Sequence, residues 1–183
     1  MRFVLITFGA LLLLMEAQAL SMASHYKYDQ IICLLLLVFM YRIRTRIFLY
    51  WLHYFLFGLF LVMHGLGMYQ LYESYPLGVE YDYWVHGYFG LVFSLILSRM
   101  FVAKGMSIWS AMPLTIVSVL GVSAAHELYE YAGALLLGQG EGVLFIGAGD
   151  LDEWDTQKDM LNNLIGGLLG LLAFVIAKKY TDS

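Results

Sequence analysis

The stretch "GAGDLDEWDTQKDMLNN", residues 147–163, runs directly into "LIGGLLGLLAFVIA", residues 164–177. Asp150, Asp152, Glu153, Asp155 and Asp159 crowd the first segment, and the second carries no charge at all. The apolar segment reads as a membrane helix. The acids must then sit at its mouth, because a carboxylate near the bilayer centre costs about 2.5–3.5 kcal/mol on insertion scales and far less near the interface. The reading that follows is a helical membrane protein with a polar layer at one end.

Composition agrees. Of 183 residues, 61% are hydrophobic and 13% charged, with a mean hydropathy of +0.74. Soluble domains run nearer half apolar and a quarter charged. A single membrane domain over residues 1–183 is the natural unit for this length, since no repeat, low-complexity tract or linker divides it and Pro76 and Pro113 are the only prolines. Cys33 is the only cysteine, so no intramolecular disulfide forms.

A spanning helix needs about 20 mostly apolar residues. Apolar runs fall at 3–20, 29–43, 47–67, 83–103, 108–137 and 160–177. They are continuous, without the alternation of a membrane β-barrel. The fold class is therefore all-α: a polytopic bundle of about six transmembrane helices. Residues 1–23 have a second reading as a signal peptide, with small-residue sites at Ala17-Gln18-Ala19 and Ser21-Met22-Ala23. Arg2, Arg42, Arg44, Arg46, Arg99, Lys104, Lys178 and Lys179 all fall on one side of this map; Lys27 and Lys158 fall on the other. The positive-inside rule makes the first side cytoplasmic and puts both termini there. The acids gather in the two external loops, between runs three and four and between runs five and six.

Ionisable groups recur at one depth near that external face. His64 lies at the outer end of run three, Asp82 and His86 open run four, His126, Glu127 and Glu130 lie in the outer half of run five, and Asp155 and Asp159 open run six. Spacing aims them as sets. Asp82 and His86 are four apart, as are His126 and Glu130, and Asp155, Asp159 and Asn163 form a row at intervals of four. Each set has a plain alternative. Asp150, Asp152 and Glu153 suit a solvated loop, and Asp155 suits a helix cap. His53, amid "YWLHYFLF", suits a packed helix residue, and His25 lies in a loop. Gly166 and Gly170, with Gly87 and Gly90, read as close helix packing. Tyr50, Trp51, Tyr83, Trp84 and Trp154 fit an interfacial aromatic belt.

Four blocks carry a family resemblance: "HGLGMYQLYESYPLG", "YDYWVHGYFG", "HELYEYAGALLLGQGEG" and "GDLDEWDTQKDMLNNLIGG". In order and spacing they resemble the bacterial inner-membrane family named after YjdF, a domain of unknown function, with a looser similarity to VanZ-like membrane proteins. The resemblance spans roughly residues 47–175, within a family-like core at 47–177, while residues 1–46 match only as generic helices. The family's Asp and His four apart are met by Asp82 and His86. The turn before the last helix is longer than the family's, which leaves the roles of Asp150 and Asp152 open. The resemblance implies the inner membrane and a site, without naming a reaction.

The site reads three ways. As an enzyme, a metal-dependent hydrolase or transferase would use a divalent ion on a lipid head group or envelope phosphate. Histidine with carboxylates suits Zn²⁺, Mn²⁺ or Fe; a carboxylate-rich set suits Mg²⁺ or Ca²⁺. Candidate ligands are His64, Asp82, His86, His126, Glu127, Glu130, Asp155 and Asp159, held by facing helices. Candidate catalytic groups are His86, Glu127, Glu130 and Asp159, and carboxylates as close as Glu127 and Glu130 favour sharing a proton. As a transporter or binding protein, the same groups would take a cation or relay protons, although the acids gather on one side and no repeat is evident. As an accessory envelope protein, the layer would serve packing alone. The chain has no Gly-x-Ser-x-Gly elbow and no P-loop. Its basic residues form only an orientation signal, which argues against nucleic acid.

Overall fold

The computed structural model describes residues 1–22, 28–69, 71–137 and 154–181. Among them the chain forms six α-helices and no strand: α1 (Arg2–Ser21), α2 (Asp29–Ile43), α3 (Trp51–Gly65), α4 (Tyr81–Ala103), α5 (Ile108–Leu137) and α6 (Asp155–Thr181). The six apolar runs each become one helix. Four of the helices, α1, α4, α5 and α6, are long and apolar enough to cross a membrane. The other two, α2 and α3, have 15 residues each, about 22 Å at 1.5 Å per residue. A 3₁₀ turn, Leu66–Tyr69, extends α3 outward.

The third helix begins at Trp51 rather than at residue 47. The Arg-rich segment 44–48 is a turn instead, in which the Leu49 N–H bonds the Arg44 carbonyl at 2.8 Å. Phe48 adopts a left-handed backbone at φ 52, and Arg99 Nε donates to its carbonyl at 2.9 Å. At the other end of the chain α6 starts at Asp155, five residues before its apolar run. Asp155 is thus the first residue of the helix rather than its cap. Its charge still lies in the first turn, where the helix dipole favours an anion.

The first three helices pack through side chains. Val4, Phe8, Leu12, Met15 and Ala19 of α1 meet Cys33 and Leu37 of α2 and Tyr54, Phe57 and Leu61 of α3 in one buried cluster. Tyr54 is fully buried, and its hydroxyl donates to the Leu37 carbonyl at 3.0 Å. Phe57 reaches across to Phe93, with ring centroids 6.0 Å apart, and so joins this half to α4.

Helices α4 and α6 pack through backbone, while α5 reaches Gly167 of α6 through the Ile116 and Val119 side chains. A Cβ at Gly166 would collide with the Gly87 carbonyl, one at Gly90 with the Asn163 carbonyl, and one at Gly170 with Leu91 and Ser94. Only hydrogen fits at these positions, which lets α4 and α6 touch main chain to main chain. Lipid supplies no hydrophobic drive between helices, so this close approach is how small residues secure dispersion contact in a membrane. A positive-φ glycine also ends α4. Gly105, at φ 90, closes a Schellman motif in which Met106 N–H bonds Phe101 O at 3.1 Å and Gly105 N–H bonds Val102 O at 2.9 Å.

Candidate metal centre

The face of α4 that carries Gly90 carries His86 and Asp82 at successive intervals of four. The face of α6 that carries Gly166 and Gly170 carries Asn163 and Asp159. Side chains three and four apart share a helix face, so the glycine contact that locks the helices also aims their polar groups at one another. His86 Nε2 lies 3.5 Å from Asp82 Oδ1 and 3.7 Å from Asp159 Oδ1. One donor atom from each of Asp82, His86 and Asp159 falls within 4.8 Å of the other two. Asp159 is 4% exposed.

Those distances discriminate. A good N–H···O bond spans about 2.7–3.2 Å, so both imidazole–carboxylate separations are too long for one. Donors around a single ion with bonds of about 2.0–2.2 Å stand roughly 2.8–3.1 Å apart in octahedral geometry and roughly 3.3–3.6 Å apart in tetrahedral geometry. The separations from His86 fall at or just beyond the tetrahedral range. Asp159 Oδ1 is also buried without a hydrogen-bond partner, an unusual state for a carboxylate oxygen away from water. The residues therefore fit a divalent cation. Asp82, Asp155 and Glu127 all act electrostatically on Asp159, and Asp82 also lies within its hydrogen-bonding reach. That many acids around one buried carboxylate call for a cation or a proton among them.

The other candidates surround this triad. His126 Nε2 lies 3.2 Å from Glu130 Oε1 on the next turn of α5. The His126 ring centroid is 6.5 Å from that of His86 and 6.4 Å from that of His64, so it stands between them. Tyr72 Oη lies 2.9 Å from His64 Nδ1 and fixes that ring from the external loop. Glu127 is buried and Asp155 half-buried at the edge of the group. All eight predicted residues thus gather at the external end of the bundle, but only Asp82, His86 and Asp159 come within ligand distance of one another as a set among the described residues. Asp150, Asp152, Glu153 and Glu141 lie outside those residues.

Several contributors were not among the predicted ligands, although Asn163 was read as part of the polar row of α6. Asn163 Nδ2 lies 3.0 Å from His86 Nδ1 and 2.6 Å from Ser123 Oγ. Ser123 shares a face of α5 with Glu127 and Glu130, at i, i+4 and i+7, and that spacing was the available signal. The first two helices also carry buried polar groups at this end: Glu16, Asp29 and Gln30. Glu16 Oε1 accepts the Tyr28 N–H at 2.9 Å, so a carboxylate from α1 closes the start of α2. Gln30 lies against Gly65, beside His64.

Comparison with known proteins places the chain in a family. No solved structure matches the chain. The "Inner membrane protein YjdF" of Escherichia coli (strain K12) is 32% identical over 111 residues, covering 53% of this chain and 52% of the relative. The chain thus spans about half the length of the curated relative it matches. The family described as "Predicted membrane protein (DUF2238)" matches residues 1–180. The match takes in the first 46 residues, beyond the core that the four motifs mark, and the chain belongs to this family of membrane proteins.

Proposed function

We propose that the protein is a multi-pass protein of the bacterial inner membrane that binds a divalent cation at the periplasmic end of its bundle and acts on a phosphate of a lipid head group or envelope polymer, as a hydrolase or transferase. The observation that carries this reading is the convergence of Asp82, His86 and Asp159 within 4.8 Å, from two helices in backbone contact. Like charges that close repel unless a cation or a shared proton lies between them, and the imidazole donor beside the two carboxylates supports the cation.

The residues divide by role. Asp82, His86 and Asp159 would hold the ion. When bound, a divalent ion polarises a phosphoryl oxygen and eases deprotonation of water. Glu130 orients His126 through the 3.2 Å contact at Nε2, so this imidazole can hold or give up a proton beside the ion site. Tyr72 orients His64 in the same way at Nδ1. The His126 side chain is 35% exposed, which leaves it open to a ligand. At the mouth of the membrane helices this layer would meet lipid head groups, which carry the phosphates of a bilayer.

The test uses full-length protein in nanodiscs. An ion present at a hundred times its Kd adds about 2.7 kcal/mol to the stability of the protein that binds it. Wild type is expected to melt at higher temperature with Mn²⁺, Zn²⁺, Mg²⁺ or Ca²⁺ and to release phosphate or head group from a panel of phospholipids. Asp159→Asn is expected to lose both responses. Stabilisation without turnover would move the reading to a cation-binding protein; neither response in wild type would end it.

A further inference from the structure

The ion reading leaves Asn163 unexplained. It is 1% exposed, its Nδ2 contacts both His86 Nδ1 and Ser123 Oγ, and its Oδ1 is buried with no hydrogen-bond partner. We propose that Asn163 is the positioning residue that turns His86 into a metal ligand, with Ser123 as its partner; this rests on the cation site proposed above.

The argument is one of proton placement. A neutral imidazole carries hydrogen on one nitrogen only. With Asn163 Nδ2 facing it, Nδ1 accepts, so Nε2 carries the hydrogen and faces Asp82 and Asp159. In that tautomer Nε2 has no lone pair to offer an ion. A half-turn of the amide exchanges Nδ2 for Oδ1. Oδ1 then accepts from Nδ1–H, and the Nε2 lone pair points between the two carboxylates. The Ser123 hydroxyl can follow, because it accepts from Nδ2 in the first state and donates to Oδ1 in the second. Asn163 makes two hydrogen bonds in either state and leaves one amide atom unpaired, so hydrogen bonding does not choose between them. An ion between Asp82 and Asp159 does. Metal-bound histidines characteristically donate their other N–H to an oxygen, which fixes tautomer and ring orientation. Asn163 Oδ1 is the oxygen within reach.

The experiment titrates full-length protein in nanodiscs with Co²⁺, whose visible absorption reports ligand set and geometry. Asn163→Leu is expected to weaken Co²⁺ binding about 10- to 100-fold, the usual effect of losing such a supporting group. Asn163→Asp, whose carboxylate accepts the same Nδ1–H, is expected to restore both affinity and spectrum. Ser123→Ala, a small change that keeps the fold, is expected to weaken binding less and to shift the spectrum. Should Asn163→Leu fail to fold, the other two variants carry the test. Wild-type affinity and spectrum in Asn163→Leu, or in Ser123→Ala where that variant carries the test alone, would overturn the role, as would an Asn163→Asp protein as impaired as the leucine variant. Wild type that binds neither Co²⁺ nor any of Mn²⁺, Zn²⁺, Mg²⁺ and Ca²⁺ removes the cation site, and this role with it; wild type that binds one of those four but no Co²⁺ removes the role alone. Wild type that binds while the variants are unaffected removes only the role.

Discussion

The two halves of the molecule are held together by different means. Helices α1–α3 interlock through bulky side chains: Phe8 covers Gly58, and Tyr54 bonds the carbonyl of Leu37. Helices α4 and α6 touch through bare backbone at Gly87, Gly90, Gly166 and Gly170. Side chains can shift by rotamer changes and absorb a local insult, whereas backbone in contact has no such freedom. The half with no slack is the half that carries Asp82, His86 and Asp159. A site whose donors must converge within fractions of an ångström belongs on rigid elements, and the glycine contact supplies that rigidity.

The contrast predicts unequal responses to the same substitution. The largest effect is expected at Gly166→Ala, where the new methyl would collide with the Gly87 carbonyl. Neither helix can yield there, so the loss should exceed the 1–3 kcal/mol typical of overpacking and take cation binding with it. Melting in detergent, read beside folded yield, checks this. Glu16→Ala, which uncaps α2 in the side-chain-packed half, is expected to cost about 1–2 kcal/mol and to leave cation binding intact. Tyr54→Phe removes one buried hydrogen bond, and about 0.5–1.5 kcal/mol is expected to be lost. Gly121→Ala on α5 meets nothing within 4 Å, so it is expected to be neutral or to stabilise by up to about 1 kcal/mol through helix propensity. Equal cost at Gly166→Ala and at Gly58→Ala, where the atoms nearest a Cβ all belong to the Phe8 ring, would erase the distinction.

How much of this was legible in the sequence follows from which constraints are local. The bilayer demands long apolar runs, so the helices could be read, and the ends of α2 and α5 fall where their runs end. Intervals of four paired Asp82 with His86 and His126 with Glu130, as the structure bears out. The glycine faces were legible for the same reason. Rotation of one helix against another is not local, so the sequence could not separate the three mutually close donors from the five residues around them. Glu16 stayed hidden because its partner is a backbone N–H across a turn, twelve residues on. Asn163 was visible as part of a polar row, but its contact with His86 spans 77 positions, beyond any spacing rule.

The central claim is that Asp82, His86 and Asp159 together hold a divalent ion. Elemental analysis of the full-length protein, purified after exposure to Mn²⁺, Zn²⁺, Mg²⁺ and Ca²⁺ in turn, tests it most directly. About one ion per chain is expected in wild type with at least one of these metals, and almost none in Asp159→Asn, since a site of so few protein ligands cannot spare one. Metal-free wild type under all four conditions, or equal metal in the variant, would contradict it.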